Sequence, residues 1–254
     1  MNYGFIGFGN LAKAIHAGLK SNKGLAFAYL SKTSRHPNIQ AFDKLSDLVD
    51  FADVLWLCVK PQQLHEVLPE LKKLDLRGKA LVSPVAGKNL DFLQKELGQE
   101  VTLIRIMPNL AIATKESITA FTSLQNQSPV VEAIKMDLME LGTVVDIPEK
   151  DFDCFTVLFG SGPAFLLKVL QGFEQKLTEL KFSKEENTAL LQQLLKGTLS
   201  YLEANQAEQS LETMIQNIAS KGGVTEAGLK VIPQNMMSDV FEVAQKRSEE
   251  LGEA

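Results

Sequence analysis

Cysteine, histidine and tryptophan are scarce in this 254-residue chain: two, three and one respectively. Cys58 and Cys154 stand far apart and in no ligand spacing, which argues against a disulfide framework or a cysteine-built zinc site. His16, His36 and His65 form no metal-spaced pair. Lys and Arg total 26 against 31 Asp and Glu, giving a net charge of −5, and the cations are not gathered in runs. A nucleic-acid partner is therefore not expected. No apolar run approaches the roughly 20 residues of a membrane span, and the N-terminus reads as a strand, not a signal peptide. Repeats and low-complexity segments are also missing. What remains, with 45% hydrophobic and 22% charged residues, reads as a globular, cytoplasmic protein without a membrane partner. The length suits one large domain or two modest ones.

What the chain does have begins at its first strand. Tyr3-Gly4-Phe5-Ile6 runs into Gly7-Phe8-Gly9-Asn10-Leu11-Ala12 and then into a helix. This is the G-x-G-x-x-G/A pattern between a short apolar strand and an amphipathic helix. Gly7 permits a tight turn, Gly9 lets a pyrophosphate approach the backbone, and Ala12 lets the helix pack close to the strand. The N–H groups at the helix start would face the anion. Leu11, Ala14, Ile15 and Leu19 form one helical stripe, with Lys13, His16 and Lys20 off it. A plain strand-turn-helix is the competing interpretation.

From residue 1 to about 148 strands and helices alternate. Strands are predicted over 3–6, 26–30, 54–59, 80–83, 102–107, 117–121 and 143–147, and helices over 62–74, 90–97 and 130–141. Several strands are continuous apolar runs, as strands covered on both faces are. The alternation predicts a Rossmann-like, doubly wound, mostly parallel sheet. Past Pro148 the strand signal stops and an all-helical segment follows. Ser183-Lys184-Glu185-Glu186 is a capping box, and Gly222-Gly223 a break between helices. We place the boundary so that 1–149 bind a dinucleotide and 150–254 form a helical domain. Leu166, Leu167, Val169, Leu170, Leu190, Leu191, Leu194 and Leu195 exceed what one short bundle buries, which predicts a homodimer seam rather than a monomer.

In a dinucleotide fold, an acid about 20 residues past the glycines accepts the ribose hydroxyls of NAD. Here that position holds Ser31-Lys32-Thr33-Ser34-Arg35, hydroxyls and cations instead of a carboxylate. Such groups suit the extra phosphate of NADP; a solvated basic turn is the alternative. Cys58-Val59-Lys60-Pro61, Ser83-Pro84-Val85-Ala86-Gly87 and Arg105-Ile106-Met107-Pro108-Asn109 each end a strand with Pro or Gly, which predicts a shaped crevice at the strand ends. A second glycine cluster runs Ser220-Lys221-Gly222-Gly223-Val224-Thr225-Glu226-Ala227-Gly228-Leu229. Its backbone N–H groups could hold a small carboxylate, and Thr225 adds a hydroxyl; a helix-helix turn with a glycine cap is equally compatible.

These residues resemble the pyrroline-5-carboxylate reductases over nearly the whole length. The resemblance rests on the first glycine turn, Val59-Lys60-Pro61, Ser83 with Ala86-Gly87, Met107-Pro108-Asn109, Gly160-Ser161-Gly162-Pro163-Ala164, and the segment from Ser220 to Leu229, which is close to the family signature. It implies an NADPH-dependent reductase, with NADH possible, that transfers hydride to the ring C=N of 1-pyrroline-5-carboxylate. It also implies a helical C-terminal domain that interlocks in a homodimer or higher oligomer. By position, Ile6, Gly7, Phe8, Gly9, Asn10 and Leu11 would hold the pyrophosphate. Ser31, Lys32 and Thr33 would meet the adenosine phosphate. Cys58, Val59, Lys60, Pro61, Pro84, Val85 and Ala86 would line the nicotinamide side. Ser220, Gly222, Gly223, Val224 and Thr225 would bind substrate. Thr225 is the one catalytic candidate; its hydroxyl is a poor acid, so a preprotonated iminium or a water relay is expected.

The chain departs from the family pattern at Lys221 (usually Pro), Leu110-Ala111 (usually Thr-Pro), Leu45-Ser46 (where an Asn is common) and Phe165 (often Tyr). Two other functions compete. One is a hydroxy-acid dehydrogenase with Lys168 as acid/base. The other is a paralogue that binds NADP but turns over poorly, motivated by Lys221 and Leu110.

Overall fold

A computed structural model describes residues 1–33 and 35–253. By its contacts the chain divides into two compact units, one of residues 1–162 together with those from 242 onward, the other of residues 163–241.

The first unit is built on an eight-stranded sheet: β1 (Asn2–Ile6), β2 (Ala26–Leu30), β3 (Gln40–Phe42), β4 (Val54–Leu57), β5 (Ala80–Ser83), β6 (Thr102–Met107), β7 (Ser117–Ser123) and β8 (Gly142–Asp146). Their spatial order is β3-β2-β1-β4-β5-β6-β7-β8. All neighbours run parallel except β6 and β7, which pair antiparallel. The doubly wound, mostly parallel expectation therefore holds. β3 has no counterpart in the sequence reading, because three residues are too few to show a period.

The apolar strands are covered on both faces. Tyr3, Phe5, Val54, Trp56 and Ile104 point to the layer formed by α1 (Asn10–Leu19) and α5 (Pro129–Met139). Ile6, Leu55, Leu57, Leu81 and Leu103 point to the opposite layer, formed by α2 (Leu45–Phe51), α3 (Leu64–Leu71) and α4 (Leu90–Leu97). This period-two division of continuous apolar runs is what a two-sided parallel sheet demands. Each fully buried large side chain contributes about 1.5–3 kcal/mol. α1 buries Ala12, Ala14, Ile15 and Leu19, close to the predicted stripe.

The connection after β8 is clamped. Arg105, 3% exposed on β6, pairs with the Glu149 carboxylate and lies over the Phe152 ring, 4.3 Å from its centroid. The other Glu149 oxygen accepts the Leu90 N–H at 2.8 Å. Short α6 (Phe152–Phe155) then passes into a π turn over Thr156–Gly160, whose Phe159 carbonyl accepts from Asn109 Nδ2 at 3.0 Å.

The second unit is helical, as expected. Helices α7 (Gly162–Leu177), α8 (Lys184–Asn205), α9 (Leu211–Ile218) and α10 (Val224–Leu229) precede α11 (Met236–Glu253), whose last part belongs to the first unit. The Ser183/Glu186 capping box opens α8. No residue of α7 or α8 is buried in the single chain, and Leu166 (67% exposed) and Leu167 (65%) stand open. The helical run from Glu149 to Leu177 has mean hydropathy 1.4 in its most apolar stretch, which by length and composition alone is enough for a membrane span. Gly160, Ser161, Gly162 and Lys168 interrupt the run, so it holds no unbroken apolar stretch of about 20 residues, in line with the sequence expectation.

Candidate active site

The strand order reverses between β2-β1 and β4-β5, and a crevice opens there at the carboxyl ends of β1, β2 and β4. Ligands of open α/β sheets bind at such a switch point. The cavity, about 230 Å³, is lined by the strand ends around Ile6, Leu30 and Cys58. It brings together Ile6, Gly7, Phe8, Gly9, Ser31, Lys32, Thr33, Cys58, Val59 and Lys60 from three separate stretches of sequence.

The turn that shapes it is dictated by glycine. Gly7 has φ +85°, and a Cβ there would stand 2.5 Å from the Cys58 carbonyl oxygen. Its N–H closes the turn on Leu30 O at 2.9 Å, while Cys58 N–H reaches Ile6 O at 2.8 Å. Above Gly9, by contrast, there is open space. Gly9 caps α1 without any side-chain hydrogen bond to the helix start, and the first turn carries no acid. Those N–H groups are thus presented to the crevice, as a pyrophosphate site requires. Phe8 contributes backbone only: its ring is buried, stacked on Tyr29 at 4.5 Å.

Lys32, in the basic turn, is 3.3 Å from Glu66 Oε2, and both are largely exposed. Ser34 of that turn lies outside the described residues. Glu66 also lines the crevice, with Leu30, Gln63 and Val67, and the sequence reading missed all four. Gln63, Glu66 and Val67 stand at i, i+3 and i+4, one face of the helical segment after Pro61, so a signal was present. Gln63 Oε1 accepts the Lys60 N–H at 3.2 Å and so holds the backbone of the β4 end.

Six predicted cofactor residues do not line this cavity. Asn10 and Leu11 lie in the first turn of α1. Pro61 lines a second cavity, of about 610 Å³, with Lys88 and Phe92. Pro84 and Val85 are buried, Val85 within the layer under α3 and α4. Ala86 is half-buried against Met107, Phe152 and Phe155. The Cys58 thiol is pushed up to about 12 by burial, so it is neutral at ordinary pH.

Ser220, Gly222, Gly223, Val224 and Thr225 form the turn from α9 into α10, with Val224 93% exposed and Thr225 exposed. Two of its N–H groups are already engaged: Gly222 donates to Glu226 Oε2 at 2.8 Å, and Gly223 to Ser220 O at 2.9 Å. Glu226 is in turn 3.4 Å from Lys230 Nζ. The N–H groups of Val224 and Thr225, in the first turn of α10, have no carbonyl four residues back within the helix to take them. Lys168 is exposed on α7 and donates to Gln171 Oε1 at 2.7 Å, as a surface lysine does.

Comparison with known proteins agrees with this architecture. Residues 149–251 match the family model described as pyrroline-5-carboxylate reductase dimerisation, and residues 2–87 match the one described as NADP oxidoreductase, coenzyme F420-dependent. A pyrroline-5-carboxylate reductase of Staphylococcus aureus is 30% identical over 250 residues, covering 94% of this chain and 92% of its own. The Streptococcus pyogenes 1-pyrroline-5-carboxylate reductase structure is 28% identical, with TM-score 0.86 over 100% of this chain and 99% of that one. The Plasmodium falciparum pyrroline carboxylate reductase, solved with NADP bound, shares the fold at TM-score 0.90 and 24% identity, over 99% and 98% of the two chains. With 30% identity over 94% of its length to a member of that family, this chain belongs to the pyrroline-5-carboxylate reductase family.

Proposed function

We propose that this chain reduces 1-pyrroline-5-carboxylate to L-proline, the last step of proline biosynthesis, with NADPH as the preferred cofactor and NADH as a possible one. The observation that carries the reading is the switch-point crevice, where Gly7 makes the turn, Gly9 leaves room and the uncapped start of α1 supplies N–H groups. NADPH, when bound, supplies the hydride that adds to the ring carbon of the C=N bond, while one proton goes to the ring nitrogen.

The chain's own residues bind and orient. Residues 1–149 act as the dinucleotide domain. Backbone groups from Ile6, Gly7, Phe8, Gly9, Asn10 and Leu11 hold the pyrophosphate, and Ser31, Lys32 and Thr33 take the adenosine phosphate. Cys58, Val59, Lys60 and Pro61, with Pro84, Val85 and Ala86, form the nicotinamide side. Residues 150–254 bind substrate and dimerise. In the turn formed by Ser220, Gly222, Gly223, Val224 and Thr225, the Val224 and Thr225 N–H groups receive the substrate carboxylate. Gly222 joins them only when Glu226 releases its N–H. The Thr225 hydroxyl hydrogen-bonds the ring nitrogen and orients it; the proton arrives on a preprotonated iminium or through water.

Only 11% of the most apolar stretch within 149–177 is buried inside one chain, and exposed leucines on α7 and α8 extend that face. This supports a homodimer, or a higher homo-oligomer, and the free cysteines Cys58 and Cys154 fit a cytoplasmic enzyme. A second reading, a paralogue that binds NADPH with little turnover, is favoured by Glu226 already occupying the Gly222 N–H. The deciding experiment follows NADPH oxidation with 1-pyrroline-5-carboxylate, with NADH run alongside. Rapid turnover supports the reductase, and NADPH binding without turnover supports the paralogue.

A further inference from the structure

The loop after β5 is held from an unexpected direction. Gly87 has φ +74°, and its backbone meets the end of α11 so closely that a Cβ on it would stand 2.5 Å from Gly252 N. A Cβ on Gly252 would in turn stand 2.8 Å from Gly87 O. Lys88, only 8% exposed, donates to Gly252 O at 3.1 Å, with its ammonium 4.9 Å from the centre of the Phe92 ring. Among the described residues no carboxylate pairs with it. One turn earlier Ser248, also buried, donates to Asp153 Oδ1 at 2.6 Å. Burying an ammonium costs free energy unless its hydrogen bonds are replaced, so the carbonyl of Gly252 and the ring of Phe92 are specific partners.

The segment from Pro84 to Asn89 lies between β5 and α4, in neither strand nor helix, so no ladder sets its position. On its far side the Leu90 N–H is tied to Glu149. On its near side the end of α11 lies backbone against backbone with Gly87.

We propose that the last turn of α11 is a positioning element for the cofactor loop, with Gly252 and Lys88 as positioning residues that hold Pro84-Val85-Ala86 in place for the nicotinamide. The inference rests on the reading of 84–86 as nicotinamide-side residues. Both residues act through the loop rather than on the cofactor, so disturbing them shifts the loop while leaving the pyrophosphate turn and the basic turn untouched.

The test is isothermal titration of full-length Gly252→Leu and Lys88→Met with NADPH and with 2′,5′-ADP, which lacks the nicotinamide half, alongside thermal melting. The expected result is a loss of about tenfold in NADPH affinity, about 1.4 kcal/mol, with 2′,5′-ADP affinity within about twofold of wild type. Lys88→Met keeps the side-chain stem and carries the test if Gly252→Leu does not fold. Equal loss of both ligands, or loss of neither, overturns the positioning role while the cofactor reading stands. Wild-type protein that binds neither ligand overturns the cofactor reading itself and this proposal with it.

Discussion

Glu66 Oε2 stands 3.3 Å from Lys32 Nζ in the lining of the switch-point crevice, so the cation proposed to read the adenosine phosphate is already shared with a carboxylate. With both side chains more than half exposed, the pair itself is worth no more than about 1 kcal/mol. A phosphate can therefore displace Glu66 but must contend with its charge. Lys32→Glu is expected to raise the Michaelis constant for NADPH by about tenfold and leave that for NADH within about twofold, since hydrogen bonds to charged groups contribute roughly 1.5–3 kcal/mol. Glu66→Gln is expected to act the opposite way, improving NADPH by a few-fold. Steady-state kinetics with both cofactors decide it, and equal effects on the two would show that the turn does not read the phosphate.

Thr225 is exposed in the first turn of α10, and no other side chain of that turn offers a hydroxyl except Ser220. Thr225→Ala is expected to lower kcat by about 10²-fold, the scale on which losing the group that orients the reacting nitrogen acts. NADPH affinity, measured by fluorescence titration, should stay unchanged. Undiminished turnover would remove Thr225 from the site.

Cys58 lies at the end of β4 with its thiol raised to about 12 by burial, against 9.0 for a free thiol. A folded value above the unfolded one means that the neutral thiol favours folding. That contribution is complete below about pH 9 and is lost as the pH rises toward about 12. Alkaline melting curves should therefore be shallower for Cys58→Ala than for wild type over that window. Because the thiolate is the reactive form, iodoacetamide at pH 8 should modify exposed Cys154 well before Cys58. Mass spectrometry of the alkylated peptides reads the order, and faster labelling of Cys58 would contradict it.

Glu149 pairs with buried Arg105 and takes the Leu90 N–H at the start of α4. Removing one partner of a fully buried pair costs about 3–5 kcal/mol. Glu149 keeps 31% of its side chain exposed, so water can partly replace it. Glu149→Gln is expected to lower unfolding free energy by about 2 kcal/mol, below the ~3–5 of a fully buried pair. Urea denaturation measures this, and a change under about 0.5 kcal/mol would show the clamp to be ornamental.

The features that the chain determined by itself are local ones. Gly7 and Gly9 sit between an apolar strand and an amphipathic helix, the alternation of elements stops at Pro148, and Ser183 with Glu186 opens a helix; each needs only residues a few positions apart. The parallel sheet follows, because apolar runs covered on both faces have few other arrangements. What tertiary structure decided are the pairings across sequence distance. Periodicity cannot say that Glu66 turns toward Lys32, or that α11 returns to lay Gly252 against Gly87, 165 residues away in the numbering (252 − 87). Nor can it say that β7 runs against β6. Even the nearby Glu226 takes the Gly222 N–H only because the turn brings a carboxylate within 2.8 Å of it. Patterns of hydrophobicity carry a residue's face, whereas a hydrogen bond or a backbone contact depends on the positions of two elements at once, and those are set only when both have packed.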